Sequence, residues 1–600
     1  MLRRLVGRTY PRVARGARNS LLLATCVSLP AVGCGDDGGS ADDGAETGDA
    51  DSGPADEGSS SEAGTEEGGS SMDGTTTGDG DGDGDGTTTG DGDGDGGPDG
   101  WNFEDVYGVP NLDDDDSNGK TDWLDPPGSS DDDLSTITIG ASQIEGFASG
   151  DQVRLVVQDG ASEIRIWMSG SAAPVVGNTG SGTSTSYTFD PSGSDQLQIE
   201  FEDYLARATL TLEHIDSGGA VVENATITLM ASPMILNHHL QPAEHVYVTQ
   251  VNSNGAMVSA YQSVLGSAFT PVPGGSVGYD VWIQDEVEFA TSLGANGVRL
   301  DTVIDSIRDR GLDAFAENYF DDPNWYIGTW GTKNQQSTYD SFGNLEVTPP
   351  LTAGGVEYPF GRIYYGAGMH SGMVAQLVSQ RIQDPLEVDT GWLCVGHVDE
   401  FSSFVADPSS EKGFKLLLAD TTAGYAILNQ MDPNISLSSK YGADYGYPTV
   451  KSIQDDSNLE TLNKDLQTDE IDPIRAQFKA EFGLTDDDII EIPTIFERAG
   501  FCNNRVAALI PGTVNLVVAN MEGDDTTLFV PDPFMRENGQ GPTQDPFAVD
   551  FANRMPEGNN VTFVDNWDTY HVALGEVHCG TNVIRTPIAN WWEKAMHLLQ

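Results

Sequence analysis

From about Leu134 to Met234 the chain alternates apolar and polar positions in short runs, such as Gln152-Val153-Arg154-Leu155-Val156-Val157 and Ala208-Thr209-Leu210-Thr211-Leu212. A period of two sends successive side chains to opposite faces, so each run predicts a strand with one buried face. Gly, Ser and Asp turns separate the runs, and together they predict an all-β unit of sandwich size over residues 134–234. After Pro233 the texture changes. Apolar strands such as Glu244-His245-Val246-Tyr247-Val248 and Asn515-Leu516-Val517-Val518 alternate with helical stretches, predicting an α/β domain over residues 235–600. One helix is punctuated at both ends: Asp472 is placed to N-cap it, Pro473 to open its first turn, Ala476 to Phe482 to form its body, and Gly483 to stop it.

The first 133 residues follow neither pattern. Six arginines and no acid lie between Met1 and Asn19, followed by Leu21-Leu22-Leu23-Ala24-Thr25-Cys26-Val27 and Ala31-Val32-Gly33-Cys34. A basic region, a short apolar run and a small-residue site predict an export signal over residues 1–33. The apolar run is well short of the roughly 20 residues that span a membrane. Cys34, directly after the small residues and before a polar tract, predicts the lipid-modified cysteine of a bacterial lipoprotein, with plain secretion as the alternative; Ala31 stands where Leu is usual. The choice of inner or outer membrane stays open.

Residues 34–100 hold 21 acids and no base in a background of Gly, Ser, Thr and Ala. Such a segment buries too little apolar surface to order itself and predicts a solvated tether. A calcium-binding Gly-Asp β-roll is the alternative, but the apolar residue that stacks each turn is absent. Within residues 101–133, Asp114, Asp116, Asn118, Asp122 and Asp125 occupy loop positions 1, 3, 5, 9 and 12, with Gly119 at position 6. That spacing suits the six to eight oxygens calcium takes. Asp replaces Glu at the last position and no amphipathic helix precedes it, so it reads as an isolated calcium loop.

Formal charge is −65 for the whole chain, and outside the signal and the tether 23 basic residues face 73 acidic ones. This excludes nucleic acid as a partner. The surface would attract calcium or arginine-rich polypeptides, or serve solubility, and charge alone does not choose. The body carries only Cys394, Cys502 and Cys579, an odd number in an exported chain. At most one disulfide can form, and a free thiol remains.

Four segments carry chemistry: Trp282-Ile283-Gln284-Asp285-Glu286, Gly343-Asn344-Leu345-Glu346-Val347-Thr348-Pro349-Pro350, Val395-Gly396-His397-Val398-Asp399-Glu400-Phe401 and Gly575-Glu576-Val577-His578-Cys579-Gly580-Thr581-Asn582. In this order over nearly 300 positions, they resemble the catalytic domain of the protein-arginine deiminases, calcium-dependent enzymes that convert peptidyl-arginine to citrulline. The resemblance implies a five-bladed α/β propeller over residues 235–600, the fold of the guanidino-group-modifying (pentein) enzymes, and an immunoglobulin-like domain at 134–234. The family's additional N-terminal β domain is missing, its place taken by signal, tether and calcium loop.

A guanidinium is planar, delocalised and always protonated, so its carbon is a poor electrophile until carboxylates fix its charge and one nitrogen can leave. The resemblance assigns the carboxylates to Asp285 and Asp399, the nucleophile to Cys579 and the proton shuttle to His397. It further implies Trp282 against the arginine stem, Arg308 and Arg310 on the substrate's backbone, and two calcium sites. One takes Gln284, Glu288 and Glu346 with the carbonyls of Phe342 and Leu345; the other takes Glu286, Asp305, Ser306 and Asp309, where Asp309 replaces the family's Asn. Val572-Ala573-Leu574 departs from the Arg and His of the vertebrate enzymes, which puts the substrate entrance in doubt. His238, His239 and His245 fit no usual zinc spacing and read as structural.

The expectation is an exported, lipid-anchored, calcium-dependent enzyme acting on arginine in polypeptides. The alternatives are a deiminase or amidinotransferase on a small guanidino compound, and a non-catalytic calcium-dependent surface protein. Target proteins and oligomeric state stay open.

Overall fold

The computed structural model describes residues 101–115, 117–125, 133–521 and 526–600. The predicted signal, Cys34, the tether and Asp116 lie outside these residues. Among the described residues, no helix is long and apolar enough to cross a membrane.

The alternating runs at the front form two five-stranded sheets. One orders Val106–Gly108, Val221–Ala231, Arg207–Ile215, Gln152–Asp159 and Ser186–Phe189; the other orders Ser135–Gly140, Ser194–Phe201, Ile164–Met168, Val176–Asn178 and Thr183–Ser184. Val153, Leu155, Val157, Leu210 and Leu212 of the first sheet share one core with Ile137, Ile139, Ile164, Ile166, Leu197 and Ile199 of the second. The alternation in the sequence is thus the alternation of this core, each large aliphatic residue contributing roughly 1.5–3 kcal/mol. Beside it, Glu200 is 1% exposed and accepts hydrogen bonds from Trp167 Nε1 (3.0 Å), Asn111 Nδ2 (3.0 Å) and Arg165 Nη1 (3.3 Å). Burial outweighs Arg165 and pushes the Glu200 carboxyl up to about 7.

The predicted calcium loop is closed by its own side chains. Asp114 accepts the backbone N–H groups of Asn118 and Gly119, Asp122 accepts that of Asp115, and Asp125 takes Asn118 Nδ2 (2.8 Å) and Lys120 Nζ (3.1 Å). Lys120 therefore holds the oxygens assigned to loop position 12.

Beyond the front sheets the fold is mixed α/β. Four sheets repeat one plan, an antiparallel pair followed by a helical crossover to a parallel strand. They are Val287–Leu293 and Arg299–Asp305 with Trp325–Gly328; Leu345–Val347 and Ile363–Gly366 with Leu386–Val388; Ser402–Ala406 and Phe414–Asp420 with Ile489–Pro493; and Val517–Ala519 and Thr526–Pro531 with Asn559–Val564. A fifth sheet is assembled from both ends of the domain. Ala243–Gln250 runs through the helix Gly255–Leu265 to its parallel partner Phe269–Pro273, and its antiparallel partner is Thr581–Arg585.

Asp472 does not cap its helix. The helix Ser457–Leu466 continues through a wide π turn, Gln467–Ile471, into Asp472–Glu481, and Ile471 is itself helical. The wider turn accommodates Pro473, which has no N–H to offer; Asp472 instead accepts Gln467 Nε2 (2.8 Å). Gly483 ends the helix at φ 64°, as its sequence position suggests. Cys394 and Cys502 form the disulfide, leaving Cys579 as a buried free thiol.

Glu200 supplies a pH test. Its folded pKa lies above its unfolded value, so the folded state holds the proton longer and stability falls as pH rises from about 4.5 to about 7, by up to about 3 kcal/mol, then levels off. Glu200→Gln keeps an acceptor for Trp167 and Asn111 and should flatten this slope in denaturant melts across that window; an unchanged slope would count against the assignment.

Candidate active site

One turn at the start of a strand in each of the five sheets leads to a common place, four bringing polar side chains and one a glycine. Ile283–Glu286 precedes Val287–Leu293, Phe342–Asn344 precedes Leu345–Val347, and Val398–Glu400 precedes Ser402–Ala406. Asn515 and Cys579 each stand two residues before Val517–Ala519 and Thr581–Arg585. The turn at 398–400 is fixed by Glu400, whose carboxylate accepts the N–H groups of Gly396 (2.8 Å) and His397 (2.9 Å).

These turns bring Asp285, His397, Asp399 and Cys579 together, all buried. Cys579 Sγ lies 3.4 Å from Asp399 Oδ2, and His397 Nδ1 lies 3.6 Å from Asp285 Oδ1. His397 Nε2 is 2.8 Å from the carbonyl of Thr338, which accepts its N–H and leaves Nδ1 facing the carboxylates. Gly343 shows the convergence best. A Cβ there would lie 2.9 Å from His397 Nδ1, 3.0 Å from Asp399 Oδ2 and 3.2 Å from Asp285 Oδ1. Any side chain there would press on two carboxylates and an imidazole at once.

Asn515 has no counterpart in the sequence reading, which took it only as part of an apolar strand. Its Nδ2 donates to Cys579 Sγ (3.2 Å) and to the Asp399 carbonyl (3.2 Å), while its Oδ1 accepts the N–H groups of His578 (2.9 Å) and Cys579 (3.3 Å). It thereby holds the nucleophile's backbone and sulfur together. Burial, with Asp399 and Asp285 beside it, pushes the Cys579 thiol well above its ordinary range. A cation in the pocket reverses that balance by favouring the thiolate.

More carboxylates crowd behind these groups. Burial pushes Glu286 and Glu288 up to about 8 and Asp305 up to about 7. Both Glu286 oxygens, Asp305 Oδ1 and Glu346 Oε1 have no hydrogen-bond partner. Buried acids in this state call for a cation. Gln284, Glu288, Leu345 and Glu346 line one pocket, with the Phe342 carbonyl 3.3 Å from Gln284 Nε2. Glu286 and Ser306 meet through the bond from Ser306 N–H to the Glu286 carbonyl (2.9 Å). Asp309 sits apart from this group at the surface, paired with Lys333.

A family model described as Protein-arginine deiminase (PAD) matches residues 221–593. The chain belongs to the protein-arginine deiminase family. Similar relatives are protein-arginine deiminase type-4 of Mus musculus, 33% identical over 65% of this chain and 60% of the relative, and type-4 of Homo sapiens, 32% identical over 68% and 64%. Type-3 of Homo sapiens is 33% identical over 63% and 58%. The chain thus spans about 60% of the length of these curated deiminases.

The residues that the deiminase resemblance assigns to substrate are arranged as follows. Trp282 packs edge-on against Tyr570 (5.5 Å) and lies over Gly575, where any Cβ would strike its ring. Arg308 donates to Ser341 Oγ. Arg310 points inward, 3.7 Å from Asp285, 3.6 Å from Glu286 and 3.6 Å from Asp280. At the departure from the vertebrate deiminases, Leu574 lines the cavity against Cys579 together with Phe496, and Val572 is exposed. His238 accepts the Leu240 N–H and His245 contacts Thr270 Oγ1, both structural roles, whereas His239 reaches Glu346 (2.9 Å).

The raised thiol makes a chemical prediction. Without divalent cations, iodoacetamide should modify Cys579 at least about tenfold more slowly than a peptide cysteine at pH 8, read by mass spectrometry of its peptide. Asp399→Asn removes a negative neighbour and should speed the reaction; a fast wild-type reaction would contradict the assignment.

Proposed function

We propose that the protein hydrolyses peptidyl-arginine to peptidyl-citrulline and ammonia, with calcium required. The observation that carries this reading is the set of four groups Asp285, Asp399, His397 and Cys579, the first three around Gly343 and the sulfur beside Asp399. Asp285 and Asp399 accept the guanidinium N–H groups in charge-assisted bonds, and the bound cation favours the Cys579 thiolate, whose proton passes to His397. The thiolate attacks the guanidinium carbon, forming a C–S bond. His397 then gives its proton to the departing nitrogen, which leaves as ammonia. A water, losing one proton to His397, attacks the same carbon; the C–S bond breaks, the thiolate is restored, the water's second proton passes to ammonia or solvent, and a neutral ureido group remains.

Calcium is supported by donor chemistry, since the crowded pockets offer carboxylate and carbonyl oxygens, the class calcium takes. Gln284, Glu288 and Glu346 with the Phe342 and Leu345 carbonyls would hold one ion, and Glu286, Asp305 and Ser306 another; Asp309 joins the second by releasing Lys333. The front loop, Asp114, Asp116, Asn118, Asp122 and Asp125, takes a further ion once Lys120 leaves Asp125. A bound ion supplies positive charge that offsets the repulsion among the buried acids. Arg308 and Arg310 serve the substrate's backbone, which for Arg310 requires turning out from Asp285, and Trp282 covers the arginine stem.

In its finer architecture the reading takes the five small sheets as blades of an α/β propeller and the front sheets as immunoglobulin-like. It takes the chain as exported and held to a membrane by a lipid on Cys34, with the acidic tether as spacer. Basic, arginine-containing polypeptides are the partners.

The deciding assay measures citrulline from a blocked arginine peptide and from free arginine, each with calcium or chelator. Calcium-dependent turnover of the peptide alone, lost in Cys579→Ala, is expected; preference for free arginine, or no turnover of either, would overturn the reading. Gly343→Ala should lose about 100-fold or more in kcat/KM, with some loss of melting temperature, because its methyl would displace His397, Asp399 and Asp285 from one another.

A further inference from the structure

His239, Glu346 and His578 are far apart in sequence, which is why no spacing pattern joins them, yet their ligand atoms all lie within 4.8 Å of one another. His239 Nε2 is 2.9 Å from Glu346 Oε2, and His578 Nε2 is 3.5 Å from Glu346 Oε1. Side-chain exposures are 14%, 4% and 8% for His239, Glu346 and His578. We infer that these three residues form a site for a borderline d-block dication of the zinc class, separate in chemistry from the oxygen-lined calcium pockets.

Three observations carry the site. His578 is oriented through its other ring nitrogen, Nδ1, by Asp399 Oδ2 (2.9 Å), while His239 Nδ1 has a longer contact with Ser403 Oγ (3.4 Å). Metal-binding histidines characteristically receive such support, and both Nε2 atoms face Glu346. Second, Glu346 Oε1 has no hydrogen-bond partner, and the 3.5 Å gap to His578 is too long for a good bond; a simple hydrogen-bonded triad would close it. Third, the surroundings hold further carboxylate chemistry: Glu288 lines the same pocket as His239, Glu346 and His578, with one guanidinium, Arg585.

The donor set selects the ion. Two imidazole nitrogens and one carboxylate suit zinc, cobalt or nickel and leave an open position, whereas calcium takes oxygen ligands.

A regulatory consequence rests on the calcium reading proposed above. Glu346 belongs to both ligand sets, so zinc-class binding and calcium binding compete for it. The metal also grips His578, whose other nitrogen holds Asp399, the carboxylate beside Cys579. A d-block ion therefore holds the enzyme inactive until calcium displaces it.

The test titrates the full chain with Co2+ in calcium-free buffer and follows visible absorption. Oxygen-only octahedral cobalt, as an acidic tether would give, absorbs weakly, whereas this site gives the strong bands of four- or five-coordinate cobalt. Expected are strong bands saturating at one equivalent, bleached by Zn2+, weakened at least about tenfold in affinity by His239→Asn and unchanged in His245→Asn. No strong band in the wild type, or full affinity in His239→Asn, overturns the site. The wild-type spectrum decides even if that variant fails to fold. Added calcium should bleach the band; a His239-dependent band indifferent to calcium would leave the metal site standing and overturn only the competition.

Discussion

The antiparallel pairing of Thr581–Arg585 with Ala243–Gln250 is the constraint on which the rest depends. It sets Val583 opposite Val246 and so fixes Cys579 at the edge of a sheet whose other strands come from the opposite end of the domain. Each of the other four sheets carries its own contribution on the turn that opens its first strand. Only when all five strand starts face one place do the carboxylates, the imidazole, the amide of Asn515 and the sulfur form a unit.

That arrangement concentrates negative charge in a medium that solvates it poorly. Glu286, Glu288 and Asp305 hold their protons far above the ordinary carboxylate range, and the Cys579 thiol is disfavoured as an anion for the same reason. The inward turn of Arg310 is one partial answer, and cations from outside are another. The core around the site is apolar and well formed, so the remaining disharmony is electrostatic and local.

Much of this was legible in the sequence, and for identifiable reasons. The alternation between residues 152 and 212 records a core face directly, and Asp285, His397, Asp399 and Cys579 stand in long motifs whose order survives folding. Asn515, His239 and the cap made by Glu400 were not legible as site groups, because each owes its role to partners brought close only by the sheets. Asp472 misled for a different reason: Asp-Pro is a strong helix start, but a π turn before it let an existing helix run through. Asp309 was legible as a ligand by position, yet Lys333, distant in sequence, holds it at the surface.

The closing strand also bears on timing. A chain made or threaded from its N-terminus presents the aspartates, the histidine and the glycine gap long before the segment bearing the sulfur. Until Thr581–Arg585 pairs with Ala243–Gln250, the cluster of Asp285, His397 and Asp399 lacks its sulfur. The full set of groups is thus complete only when the two ends of the domain are joined in one sheet.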